Sequence, residues 1–330
     1  MMTDYKEIVD KIKRNYTLKQ EIQEEKRINY ERALYQKHNK LEQLENEKRK
    51  LKNQYTIQGD LEENQKLIDK IKNISEEKEK YAKENNIILE FTPSYNCEIC
   101  KDTGKVKGAY INGVFDMRGE RPCVCYKQRI YKEAYGSYNV IDSKENLNDF
   151  DMKHLDENKS LEMARIIKAV REYIIHFNEP EKTNRNICFL GITGAGKTKM
   201  CKCICRGLYE KGITSFLATF SSITNTITTN IAQKKYDDNK RLLEVLTNVD
   251  FLVIDDLGAE NVTEAKTEKL LNILEEREKY NKVTAFTSNL DFDEIKKVYG
   301  ERIKSRLKQN AIICNMDFAD YREKNITIVK

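Results

Sequence analysis

Eight residues, Gly191-Ile192-Thr193-Gly194-Ala195-Gly196-Lys197-Thr198, follow the apolar run Ile187-Cys188-Phe189-Leu190 and open a stretch with helical spacing. A strand, a G-x-x-x-x-G-K-[ST] loop and a helix in that order leave a chain little freedom of fold. The glycines let backbone N–H groups turn toward phosphate oxygens, and the helix N-terminus adds a favourable dipole. Gly191, Thr193, Gly194, Ala195, Gly196 and Lys197 are therefore expected to bind a nucleotide, with Lys197 on its β- and γ-phosphates and Thr198 on Mg²⁺.

The surrounding chain agrees with that expectation. Short apolar runs at 187–190, 215–219, 251–254 and 283–287 alternate with amphipathic helical patterns at 161–177 and 263–280. Such alternation predicts a parallel α/β sheet with helices on both faces. The run Phe251-Leu252-Val253-Ile254 ends in Asp255-Asp256, which puts carboxylates at the carboxyl edge of the sheet beside the loop. Asp255 is expected to hold Mg²⁺ and Asp256 to polarise the attacking water. No Asn-Lys-x-Asp segment for guanine follows the second acid, so the predicted nucleotide is ATP.

The rest of the 330 residues divides differently. Between Tyr5 and Asn86 there is no proline and one glycine, Gly59, while Leu34, Leu41, Leu44 and Leu51, then Leu67, Ile71, Ile74 and Tyr81, repeat at heptad spacing. Two helices folding back as an antiparallel coiled-coil hairpin are expected, with the break at Gly59-Asp60. A glycine-rich stretch follows with Cys97-x2-Cys100, 22 residues, then Cys123-x-Cys125. Two close thiolate pairs suit a closed tetrahedral Zn²⁺ site. Cys188, Cys201, Cys203, Cys205 and Cys314 read instead as small buried core residues, and His38, His154 and His176 are assigned no catalysis. With nine cysteines, an odd number, no export signal and no long apolar span, the expected setting is cytoplasmic with reduced thiols. A surplus of 59 basic over 54 acidic residues is too mild to imply nucleic acid by itself.

These motifs, with Leu257-Gly258-Ala259-Glu260, Thr287-Ser288-Asn289-Leu290 and Gly300-Glu301-Arg302-Ile303-Lys304-Ser305-Arg306-Leu307, resemble the AAA+ ATPases of the DnaC/DnaI helicase-loader and IstB-like group. The resemblance spans residues 148–330 and implies an AAA+ core, here without the C-terminal helical lid, because 24 residues follow Arg306. By the same resemblance Asn289 is the polar sensor of the γ-phosphate, and Arg306 is the arginine finger given to a neighbouring subunit, with Arg302 four residues earlier as its rival. Arg322 matches a terminal arginine of the group. The expected organisation is a helical arm over 1–88, a zinc module over 89–130, a linker over 131–147 and the ATPase over 148–330. The implied function is ATP-dependent loading of a replicative DnaB-type hexameric helicase onto single-stranded DNA, with self-association through ATP interfaces and no membrane. A transposition helper of the IstB type and a nucleotide-binding coiled-coil adaptor are the alternatives. For DNA contact the sequence offers Lys234-Lys235-Tyr236, Lys296-Lys297, residues 302–308 and Phe220 at a central pore.

Overall fold

In a computed structural model of the chain, residues 5–55, 60–111, 114–153, 155–179, 186–259 and 261–318 are described. Gly59, His154 and Arg322 lie outside them, as does the C-terminal stretch after Phe318. Two compact units form, one of residues 14–103 and the other of residues 104–330 together with 1–13.

The first unit is mainly helical. Helix α1 (Tyr5–Lys37), of which residues 14–37 belong to this unit, is followed after His38 by α2 (Asn39–Gln54), then by α3 (Leu61–Glu84), which Asp60 caps by accepting the N–H groups of Glu62 and Glu63. Helix α3 returns antiparallel to α2: Lys78 pairs with Glu45 at 2.5 Å, and Lys48 Nζ donates to Ser75 Oγ at 2.8 Å. Leu41, Leu44 and Ile74 of the heptad series are buried, and Leu34, Leu51, Leu67, Ile71 and Tyr81 are half-buried. The turn into α2 falls at His38, inside the repeat, where the spacing gave no warning.

The second unit begins with an antiparallel hairpin, β1 (Lys105–Ile111) and β2 (Val114–Pro122), and helix α4 (Val124–Tyr135). Its main part is a five-stranded sheet built from β3 (Asn186–Leu190), β4 (Ser215–Thr219), β5 (Phe251–Leu257), β6 (Val283–Ser288) and β7 (Ala311–Asn315). All neighbouring strands are parallel, in the order β4-β5-β6-β3-β7. A parallel sheet is covered on both faces, which is why these strands read as continuous apolar runs. Leu252, Ile254 and Phe286 pack on one side among Ile223 and Ile227 of α7 (Phe220–Ala232), Leu242 and Leu246 of α8 (Tyr236–Asn248), and Leu270 and Ile273 of α9 (Glu264–Lys279). Phe251, which alternates with them, meets Tyr173 of α5 (Glu157–Ile175) and Phe177 beyond it. Helix α6 (Lys197–Glu210) follows the glycine-rich loop, and the short helices α10 (Phe292–Tyr299) and α11 (Glu301–Lys308) precede β7. Phe220 is 1% exposed in the core, so it faces no pore: the first position of α7 turns inward under the sheet.

Candidate nucleotide site

The loop after β3 is shaped by backbone that only glycine takes easily. Gly191, Gly194 and Gly196 have φ of 134°, 80° and 92°. A Cβ at Gly191 would also stand 2.5 Å from the carbonyl oxygen of Met316, so the loop and the chain after β7 touch through their backbones. Lys197, at the first position of α6, is buried, and its Nζ donates to the carbonyls of Gly191 and Ile192 and to Asn289 Oδ1, each at 2.7 Å. Thr198 Oγ1 donates to Asp255 Oδ1 at 2.9 Å. Asp255 is buried and Asp256 exposed. Burial raises the Asp255 carboxyl above its ordinary value, against the hydroxyls of Thr287 and Thr198 that donate to it, with the charge of Asp256 adding to the rise.

Thr193, Gly194, Gly196, Lys197, Thr198, Asp255, Asp256 and Asn289 line one cleft of about 670 Å³ at the carboxyl ends of the strands. Ala195 is buried within the loop itself. Asn289 does not cap the next helix; Asp291 does, accepting from the N–H groups of Asp293 and Glu294. The donor set suits a magnesium nucleotide: loop N–H groups and one ammonium for phosphates, and a hydroxyl beside a carboxylate for a hard cation.

Glu145, Lys199 and Lys202 also line the cleft and were not singled out from the sequence. Lys202 lies over the Tyr138 ring at 5.0 Å and pairs with Glu145 at 3.7 Å. The stretch before α5 carries no motif, so only its folding against α6 reveals it. Helix α4 is likewise tied to the sheet, Gln128 Nε2 donating to the Ser215 carbonyl at 2.6 Å.

Arg306 and Arg302 are elsewhere. Both lie on α11 and pair with α9: Arg302 with Glu275 at 3.1 Å, and Arg306 with Glu278 and with Glu275 at 3.5 Å. Arg306 borders a separate cavity with Asn186, at the opposite end of β3 from the phosphate loop.

The sulfur atoms of Cys97, Cys100, Cys123 and Cys125 are within 4.8 Å of one another and all four residues are buried. Zn–S bonds of about 2.3 Å in a tetrahedron space sulfurs by about 3.8 Å, so this donor set is compatible with Zn²⁺. Left-handed backbone at Lys101 and Asp102 turns the chain just after Cys100. The remaining thiols are core residues: burial pushes Cys188, Cys203, Cys205 and Cys314 up to about 12, and Cys201 upward as well, which keeps them protonated. No helix among the described residues is long and apolar enough to cross a membrane.

The replicative helicase loader DnaC of Buchnera aphidicola subsp. Baizongia pistaciae is 28% identical over 163 residues, covering 48% of this chain and 64% of the relative. DnaC of Escherichia coli (strain K12) is 26% identical over 184 residues, 52% of this chain and 73% of the relative. Thus the match spans just under two thirds of the first relative and somewhat more of the second. Among solved structures, the DnaC helicase loader is 21% identical with a TM-score of 0.44, covering 52% of this chain and 97% of that one; DnaI is 21% identical with a TM-score of 0.42, covering 54% and 90%. The model of the IstB-like ATP binding protein family matches residues 138–325, more than half the chain, and to that family, within the AAA+ group, the chain belongs.

Proposed function

We propose that the chain is an ATPase that loads a replicative hexameric helicase onto single-stranded DNA, with ATP binding favouring assembly and hydrolysis favouring release. The observation that carries the ATPase is the convergence of Lys197, Thr198, Asp255, Asp256 and Asn289 on one cleft. The helicase comes from the relatives, which are described as replicative helicase loaders.

In this reading the loop N–H groups and Lys197 hold the β- and γ-phosphates. Thr198 and Asp255 hold Mg²⁺, which when bound offsets the phosphate charge. Asp256, exposed at the rim, orients the attacking water and accepts its proton. The bond from Lys197 to Asn289 gives the sensor its input: a γ-phosphate that draws the ammonium toward itself releases the Asn289 carbonyl. Arg306 serves a neighbouring subunit's ATP, the four thiols hold one Zn²⁺, and the helical arm with the zinc module docks the helicase. Binding energy spent in an ATP-dependent interface makes such a protein a switch, so turnover alone is slow.

Affinity capture from the source cell's lysate tests the reading, using the full chain with ATP and magnesium beside Lys197→Ala. A replicative helicase recovered by the first and not the second is the expected result. A transposase in its place turns the reading to a transposition helper, and capture of neither, with ATP hydrolysis intact, leaves an ATPase of another assembly.

A further inference from the structure

Asp255 and Asp256 are consecutive, and consecutive residues of an unbroken strand point to opposite faces of the sheet. Yet both border the phosphate-loop cleft. The register of β5 on β6 accounts for this. Ile254 is opposite Phe286 and Leu257 is opposite Ser288, so the two acids of β5 are matched by one residue of β6, Thr287. That is a bulge in a parallel pair, an uncommon feature that re-aims side chains next to functional sites. Asp256 takes the left-handed backbone that accompanies it, with φ of 52°. Aspartate tolerates this region better than most residues, but the conformation still needs support from its surroundings.

The support is one hydroxyl. Thr287 has no exposed surface, and its Oγ1 accepts the Asp256 N–H at 2.9 Å while donating to Asp255 Oδ1 at 2.7 Å. The directions are fixed by chemistry: an amide N–H only donates, so the hydroxyl accepts there and keeps its single proton for the carboxylate. One side chain therefore holds the backbone of one acid and the carboxylate of the other. Valine has nearly the same shape and can do neither.

We propose that Thr287 is a positioning residue of the site, whose hydroxyl sets the β5 bulge and so aims Asp255 at the magnesium position and Asp256 at the attacking water. This rests on the ATPase reading above. Thr287 acts through the two acids rather than on the nucleotide, as groups behind metal ligands do, and loss of such a group costs about tenfold to a hundredfold in metal affinity or activity.

The test compares wild type, Thr287→Ser and Thr287→Val. Hydrolysis is followed across a magnesium titration, and binding of a fluorescent ATP analogue is measured with magnesium and in chelator. T287V is expected to need about tenfold more magnesium for half-maximal binding and to lose about tenfold or more in kcat, with affinity in chelator unchanged; T287S should restore both. A merely structural role would lower the melting temperature and weaken binding equally with and without magnesium, and would overturn the proposal. So would T287V with wild-type magnesium dependence, or T287S as impaired as T287V. Should T287V fail to fold, Thr287→Ala is the second hydroxyl-free variant, read in the same way. If the wild-type chain hydrolyses no ATP, the ATPase reading fails and takes this assignment with it; if wild type and T287V hydrolyse alike, only the role of Thr287 falls.

Discussion

Lys197 and Asp256 differ in burial, and that difference separates what each removal does. The buried Lys197 ammonium donates to the carbonyls of Gly191 and Ile192 and to Asn289 Oδ1, and in the proposed function it exchanges these oxygens for phosphate. Lys197→Ala removes a charge-assisted phosphate contact of about 3 kcal/mol, so ATP affinity should fall about a hundredfold in a fluorescence titration. Asp256 is exposed, and in the proposed function it acts on the attacking water and not on the bound phosphates, so Asp256→Asn should bind ATP within about threefold of wild type while phosphate release slows about a hundredfold or more. Equal losses of binding in both variants would refute the division. Away from the cleft, Asp250 shows a carboxylate used for stability. Burial raises its carboxyl, but Lys282 at 2.7 Å and the Thr214 hydroxyl at 2.6 Å outweigh that and hold it below the ordinary value. A carboxyl depressed in the folded state stabilises above its unfolded pKa and loses that contribution as pH falls through its folded pKa. Because the side chain is 41% exposed and screened, Asp250→Asn should cost only about 1 kcal/mol at pH 7. Urea melts should show the gap from wild type closing in acid, below the ordinary aspartate value of 3.8. An unchanged gap would mean the ion pair contributes nothing.

At the scale of elements, legibility followed burial. The runs at 187–190, 215–219, 251–254 and 283–287 coincide with β3 to β6 within a few residues because parallel strands covered on both faces must be apolar throughout. The β1–β2 hairpin was illegible for the converse reason. Lys105, Lys107, Arg118, Glu120 and Arg121 leave no alternation to read, and the pair is held by register and by Lys105–Glu120 at 2.9 Å. The bulge at Asp255-Asp256 was equally hidden, since it exists only where Thr287 stands opposite. The cysteines were separable by spacing alone: the pairs at 97/100 and 123/125 converge, whereas Cys201, Cys203 and Cys205 on α6 are core residues. This predicts one zinc per chain by elemental analysis. Serine at Cys97, Cys100, Cys123 or Cys125 should each deplete it and lower the melting temperature, because a structural site contributes folding energy. Serine at Cys188 or Cys314 should leave the zinc content intact. Zinc retained after a change at any of the four would place the metal elsewhere.

At the scale of the whole molecule, the decisive feature is the distance between Arg306 and the phosphate loop. Arg306 borders a cavity at the Asn186 end of β3, and the loop leaves the Leu190 end. A strand rises about 3.3 Å per residue, so the five residues of β3 separate the two by roughly 13 Å or more before side chains are counted. An arginine stabilises transferring phosphoryl charge only at close range, so under the proposed function Arg306 would act on a neighbouring subunit's ATP and not on one held by its own phosphate loop. It is half-exposed on α11, where it pairs with Glu275 and Glu278, and the proposed function requires that it exchange those acids for a neighbour's phosphates. The pairing of sequence motif and position therefore turns the finger assignment into a statement about assembly. Arg306→Ala should bind ATP as wild type does and lose hydrolysis, and Lys197→Ala should lose both. Mixed together, the two inactive variants should regain hydrolysis, because an interface that joins an intact Lys197 from one subunit to an intact Arg306 from the next is complete. Arg302→Ala, whose side chain pairs at the surface with Glu275, should hydrolyse by itself at close to the wild-type rate. Phosphate release from the mixture at the level of its inactive components would show that Arg306 does not act across a subunit boundary, and activity lost in Arg302→Ala instead would move the finger one turn back along α11.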